Sequence, residues 1–196
     1  MGLFSSKKSK TSNKQVDSLT DSRDGKVYKT VKIGNQIWMA ENLNYDADKN
    51  NCWFYDNDPE NGKKYGRLYN WYSAMEVAPP GWHLPSLDEW SKLISELGGL
   101  GEEDRITLDK MIKGGTSGFD VLFGGYKDWW PHFKGKGDSA IFWSSTKSGD
   151  KVYCCSFWDR TIKSVFNLAC ISLYLDDIRL YDNKEPNGYS IRCVKD

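Results

Sequence analysis

The most regular alternation of apolar and polar positions lies in KVYKTVKIGNQIWMAENL, residues 26–43. Val27, Val31 and Ile33 share one side of an extended chain, Gly34-Asn35 supplies a two-residue turn, and Ile37, Trp38 and Met39 follow, which predicts a β-hairpin. Helical spacing then takes over. Leu68, Trp71, Tyr72 and Met75 recur every three or four residues after Tyr65-Gly66 and predict an amphipathic helix that stops before Pro79-Pro80. The next helix is better marked: Ser86 and Glu89 form a capping box, Trp90, Leu93, Ile94 and Leu97 make one apolar stripe, and Gly98-Gly99 ends it. Residues 102–113 predict a short third helix with Leu108, Met111 and Ile112 inward. From Phe119 the pattern changes to short strand-like runs at Ile141 (IFWSST), Lys151 (KVYCCSFW), Ser164 (SVFNLACISLYL) and Gly188 (GYSIRCV), separated by Gly, Asp, Asn and Lys turns. Helices in the middle and strands at both ends predict an α+β domain.

Two segments carry little apolar pattern. Residues 1–20 hold four Lys, five Ser and two Thr and read as a disordered basic arm ahead of a single domain over 21–196. The arm has no apolar h-region of a signal peptide. Gly2 and Ser6, followed by lysines, match the M-G-x-x-x-S acylation pattern, so a membrane enters as a partner only if this end is lipidated; the other reading is a flexible leader. Residues 46–64 gather Asp46, Asp48, Asp56, Asp58 and Glu60, but a calcium loop begun at Asp46 places Asn51 where Gly is required and Asn57 where the bidentate Glu belongs. A solvated loop is the expectation there.

Composition narrows the partners. Lys plus Arg and Asp plus Glu are 27 each, and a net charge of zero gives no reason to expect nucleic acid. Aromatic residues make up 14% of a chain whose mean hydropathy is −0.66, so some rings are expected at the surface. Five cysteines show no C-x-x-C, and adjacent Cys154 and Cys155 face opposite sides of a strand; they read as small buried hydrophobes, with a Cys193 bridge as the lesser alternative. His83, leading into the capped helix, reads as a side chain that holds local backbone. His132 sits beside Trp129 and Trp130 in a loop suited to ligand contact. Asp176 and Asp177 face opposite ways along a strand, and neither a nucleophile elbow nor a metal-protease motif is present. The expectation is a protein that is not an enzyme and has no cofactor.

The motifs DSRDGKVYKTVKIGNQIWMAENLNYD, YGRLYNWYSAM, PPGWHLPSLDEWSKL, FWSST and NGYSIRCVKD, in this order, resemble the Fibrobacter succinogenes major paralogous domain. That family is similar to the C-type lectin-like fold, in the branch that holds formylglycine-generating enzymes and the variable proteins of diversity-generating retroelements. The resemblance implies small twisted antiparallel sheets, two flanking helices, and terminal strands brought side by side. Family members are usually exported or anchored at a bacterial surface. Members often carry a Cys ahead of P-x-G-W-H; Val77-Ala78-Pro79 stands here instead, so no bridge runs from that point to Cys193. The cysteine spacing of the enzymatic relatives is also missing.

What the resemblance implies about function is a recognition face between FWSST and GYSIRC. Its candidates are Tyr153, Phe157, Trp158, Asp159, Tyr174, Asp176, Arg179, Tyr181 and Asn183, together with Trp129, Trp130 and His132. Rings supply contact area at low entropy cost, and Arg with Asp adds directional bonds. The ligand expected is a protein or cell-surface structure, as for a retroelement variable protein. A glycan is the alternative, with calcium as the one ion in view, because Glu185-Pro186-Asn187 echoes a lectin calcium tripeptide but sits beside the last strand and reads as a turn. A formylglycine-generating activity ranks third.

Overall fold

The computed structural model describes residues 16–47, 51–100, 104–128, 132–159, 169–177 and 187–196. It begins with an edge strand, β1 (Val16–Thr20), laid antiparallel on β2 (Val27–Ile33), with Val16 opposite Val31 and Thr20 opposite Val27. The ordered domain therefore starts earlier than residue 21. VDSLT shows no apolar alternation because β1 is held mainly by its backbone ladder, with Leu19 packed against the core.

The expected hairpin is present: β2 turns through Gly34, at φ 57°, into β3 (Gln36–Met39). Its buried side is not uniform. Val31 and Ile33 enter one apolar cluster while Tyr28 enters another, and Val27, beside the turn that joins β1 to β2, is 61% exposed. The polar segment that follows is more structured than a solvated loop. After β4 (Cys52–Trp53) and a 3-10 turn at Tyr55–Asn57, Asp58 accepts a hydrogen bond from the Glu60 amide and Pro59 opens α1 (Pro59–Tyr65).

Leu68 does not belong to a helix; it lies in β5 (Leu68–Tyr69), paired with β4. Asn70 then caps α2 (Trp71–Glu76) through the Ser73 amide. This short helix buries Trp71 and Ala74 and leaves Tyr72 and Met75 exposed, because its rotation is fixed by β5 and the cap. Next come β6 (Trp82–His83) and α3 (Leu87–Leu97), where Ser86 and Glu89 form the reciprocal capping box and Trp90, Leu93 and Ile94 are buried, as the spacing predicts. The third helix is α4 in chain order (Asp104–Met111), with Leu108 and Met111 buried and Ile112 half-buried in an isolated bridge to Val121.

The remaining strands are β7 (Gly124–Lys127), β8 (Phe133–Lys136), β9 (Ser139–Ser148), β10 (Lys151–Asp159), β11 (Ala169–Asp177) and β12 (Val194–Lys195). They complete an α+β fold with two five-stranded sheets, ordered β1-β2-β3-β12-β6 and β11-β10-β9-β7-β8, beside the small β4-β5 pair. The N-terminal hairpin and the closing segment lie side by side: Met39 donates to the Cys193 carbonyl (2.9 Å), Leu43 to that of Ile191 (3.0 Å), and Val194 pairs with Trp38.

Arg192 fastens this junction from inside. It is fully buried, donates Nε to Asn42 Oδ1 (2.6 Å), and donates from its other nitrogens to the carbonyls of Met39, Phe119 and Asp120. Burial pulls its pKa down to about 9. Cys52, Cys154, Cys155 and Cys193 are buried thiols. Cys154 and Cys155 go to different apolar clusters, as alternation requires. Among the described residues no helix is long and apolar enough to cross a membrane.

Candidate functional site

β10 separates two environments residue by residue. Cys155 and Phe157 point into the cluster built around Trp38, Trp90, Phe119 and Phe142. The Phe157 ring lies 5.7 Å from Phe142 and 6.4 Å from Trp90. Phe157 is therefore core: it is fully buried and offers no surface to a ligand, contrary to its place among the candidate contacts. The ring type suggested a contact residue, but its parity with Cys155 decides its side.

Val152, Cys154, Ser156 and Trp158 take the other side. Trp158 is half-buried and meets Tyr126 of β7 edge to face at 6.4 Å. Tyr126 meets Tyr189 at 6.1 Å, and Tyr189 lies 4.2 Å from Trp143. The ladder is anchored inward by Trp143, whose Nε1 donates to the Tyr69 carbonyl (2.6 Å). Rings so arranged hold one another in fixed orientations, worth about 0.5–1.5 kcal/mol per pair beyond burial. The outermost pair, Trp158 with Tyr126, thus presents a braced and partly accessible aromatic surface.

A second pair borders the ladder. Gly188 and Lys127 exchange backbone hydrogen bonds (2.9 and 3.0 Å), and the Lys127 ammonium sits 4.6 Å over the Trp53 ring. A Cβ at Gly188 would stand 3.0 Å from that indole and 3.1 Å from Lys127 Cβ, so glycine is what lets the three meet. Near by, Lys134 pairs with Asp128, which raises the Lys134 pKa, and Lys136 lies 4.9 Å over the Tyr55 ring and 3.7 Å from Asp56.

Of the sequence-level candidates, Tyr153 is half-buried on the Phe157 side of β10, and His132 is exposed at the start of β8. Asp159, Tyr174 and Asp176 are described only as strand positions: Tyr174 faces Cys154 in the β10–β11 register and Asp176 faces Val152. Trp129, Trp130, Arg179, Tyr181 and Asn183 lie outside the described residues, as do Glu185 and Pro186. Asn187 donates to the Tyr189 hydroxyl (3.3 Å). Trp53, Tyr126, Lys127 and Tyr189 were missed as site residues. The run Trp53-Phe54-Tyr55 inside a polar stretch was a usable signal for the first; the others are joined by pairings between distant segments, which sequence spacing does not report.

The chemistry available elsewhere is limited by burial. Desolvation holds the Cys155 thiol well above its ordinary range and pushes Cys193 up to about 12, so both stay protonated and poorly nucleophilic. Asp46 is bonded to Arg67 (2.8 Å) and Asp58 caps α1; among the described residues no group of three or more His, Cys, Asp or Glu gathers as metal ligands would. His83 does not hold backbone as expected. Its two ring nitrogens instead meet two carboxylates, Glu89 (2.8 Å) and Asp196 (2.6 Å).

Compared with known proteins, residues 31–195 match the family model described as Fibrobacter succinogenes major domain. No curated protein and no solved structure matches the chain.

Proposed function

The chain belongs to the Fibrobacter succinogenes major domain family, and from that premise we propose that it is a non-catalytic recognition module. Its ligand is a protein or cell-surface structure, bound on the face that carries Trp158 and Tyr126. The observation behind this reading is the division along β10. One side closes over Phe157, and the other, buried at Val152, Cys154 and Ser156, ends on a half-buried indole set on a ladder of rings that cannot easily move. A rigid aromatic anchor over a dense scaffold is what a binding hot spot requires. A C-type lectin-like domain that diversifies surface positions between fixed scaffold positions, as a retroelement variable protein does, has the same interleaving.

The test uses fluorescently labelled protein on intact bacterial cells. Wild type should bind saturably, and Trp158→Ala should weaken binding tenfold or more, about 1.4 kcal/mol, with its unfolding transition still cooperative. Undiminished binding by that variant refutes the reading. A template repeat beside a reverse transcriptase gene, differing mainly at adenines over the codons for residues 153–183, would support the diversified form. Stacking of sugar rings on Trp158 is the second reading; a glycan array with and without calcium decides it.

A further inference from the structure

At the edge of the first sheet, one imidazole is gripped from both ends. β6 is joined to that sheet through β12, with His83 opposite Val194 and Trp82 opposite Lys195. His83 Nδ1 lies 2.6 Å from Asp196 Oδ1, and Nε2 lies 2.8 Å from Glu89 Oε1. The two carboxylates differ in how they are held. Glu89 Oε2 accepts from the Ser86 amide (2.8 Å) and the Ser86 hydroxyl (2.9 Å), so the capping box fixes it. Asp196 is tied through its own amide to the Gly81 carbonyl (3.1 Å) and its side chain is largely exposed.

A neutral imidazole carries a single N–H, whereas its protonated form donates from both nitrogens. With a carboxylate at each end, the neutral ring must set one lone pair against an oxygen. Only the cation satisfies both contacts.

We propose that His83 is a proton-operated clasp on the closing strand: protonated, it ties Asp196 to the first turn of α3, and neutral, it keeps Glu89 and lets Asp196 go. The weaker side gives way because Glu89 is braced by the capping box and Asp196 is not. Among the described residues the charged groups facing the ring are these two carboxylates, one from α3 and one from the segment after β12. Lys195 pairs with Trp82 and so lies on the other face of the β6–β12 pair, and the adjacent Asp88 is exposed. Release loosens β12, which continues the Ile191–Cys193 run bonded to Met39 and Leu43 and, before it, the Gly188–Ser190 run that supports the aromatic ladder.

The electrostatics agree in sign. Burial works to lower the His83 pKa, but the hydrogen bonds to Asp196 and Glu89 outweigh it and raise it above the ordinary 6.5. Its contribution is thus complete below that ordinary value and is lost as pH rises through the raised one. For Glu89, burial works upward and is outweighed by hydrogen bonds from the Ser86 backbone and His83, so its pKa falls below 4.5. That contribution is complete above 4.5 and is lost as pH falls through the lowered value. The clasp is closed between these limits.

The experiment is a nuclear magnetic resonance titration of the full chain from about pH 5 to about pH 9, the range in which histidine charge changes. It reads the His83 ring nitrogens and hydrogen exchange at the Asp196 amide, corrected for intrinsic rate. Wild type should show both nitrogens protonated at the acid end, a midpoint above 6.5, and a several-fold loss of Asp196 protection across that midpoint. Asp196→Asn, an exposed conservative change, should lower the midpoint and abolish the step in protection; His83→Gln should show no step. A wild-type midpoint at or below 6.5, or protection that stays flat through the His83 titration, overturns the proposal.

Discussion

The two sides of β10 are made from the same strand and obey different rules. On one, Phe157 meets the helix α3 tryptophan and the Phe142 ring, and Cys155 is buried in the same cluster. On the other, Trp158 stands half-open at the end of a ladder that begins at buried Trp143. Two neighbouring aromatic residues thus take opposite roles, one in the scaffold and one at a candidate contact. Both faces are core along most of the strand, since Val152, Cys154 and Ser156 are buried on the Trp158 side too; what separates the two rings is what packs over each one, and size and hydrophobicity do not.

The contrast can be broken first at its scaffold side. Trp90 touches Trp38, Phe142 and Phe157, so Trp90→Ala should cost about 3–5 kcal/mol in chemical denaturation by emptying the centre of that cluster. A loss below 1 kcal/mol would mean that the cluster can collapse around the gap. Next is Arg192→Leu, which strands the acceptors of Met39, Asn42, Phe119 and Asp120. Each buried acceptor left alone costs about 1–3 kcal/mol, partly offset by removal of a desolvated cation, so a net loss of about 3 kcal/mol is expected. A neutral or stabilising outcome would show that the guanidinium is a burden on the junction. On the recognition side, Gly188→Ala pushes a methyl group against Trp53 and Lys127 and should cost about 1–2 kcal/mol. It should also disturb the ladder through Tyr189, read as a change in near-ultraviolet circular dichroism; an unchanged spectrum would uncouple the two pairs.

The sequence discloses these features unevenly, for physical reasons. α3 is legible because every signal is local: a capping box, a stripe and a terminal glycine pair all lie within one segment. α1 carries local signals too, Asp58 as cap and Pro59 in the first turn, but the acidic composition around them gives a solvated loop as the expectation. The phase of α2 was misread because Leu68, which continues its spacing, is taken by a strand pairing with Trp53 that no local pattern encodes. β1 leaves no periodic pattern, since an edge strand held mainly by its backbone ladder needs no more than Leu19 against the core. At the candidate site Cys154 and Cys155 take the opposed directions that alternation predicts, but both directions enter apolar clusters, so parity assigns Phe157 to the Cys155 side without telling it apart from Trp158 in burial. Tyr126, Lys127 and Tyr189 come together only through the contact of β7 with residue 188, and Arg192 looks like an ordinary surface arginine until the fold closes around it.

The division along β10 is tested most directly by measuring denaturation midpoints for Phe157→Ala and Trp158→Ala side by side. The first should lose about 3–5 kcal/mol. The second should lose about 1 kcal/mol, the scale of one edge-to-face contact. Equal, large losses would place Trp158 in the core with Phe157 and contradict the account.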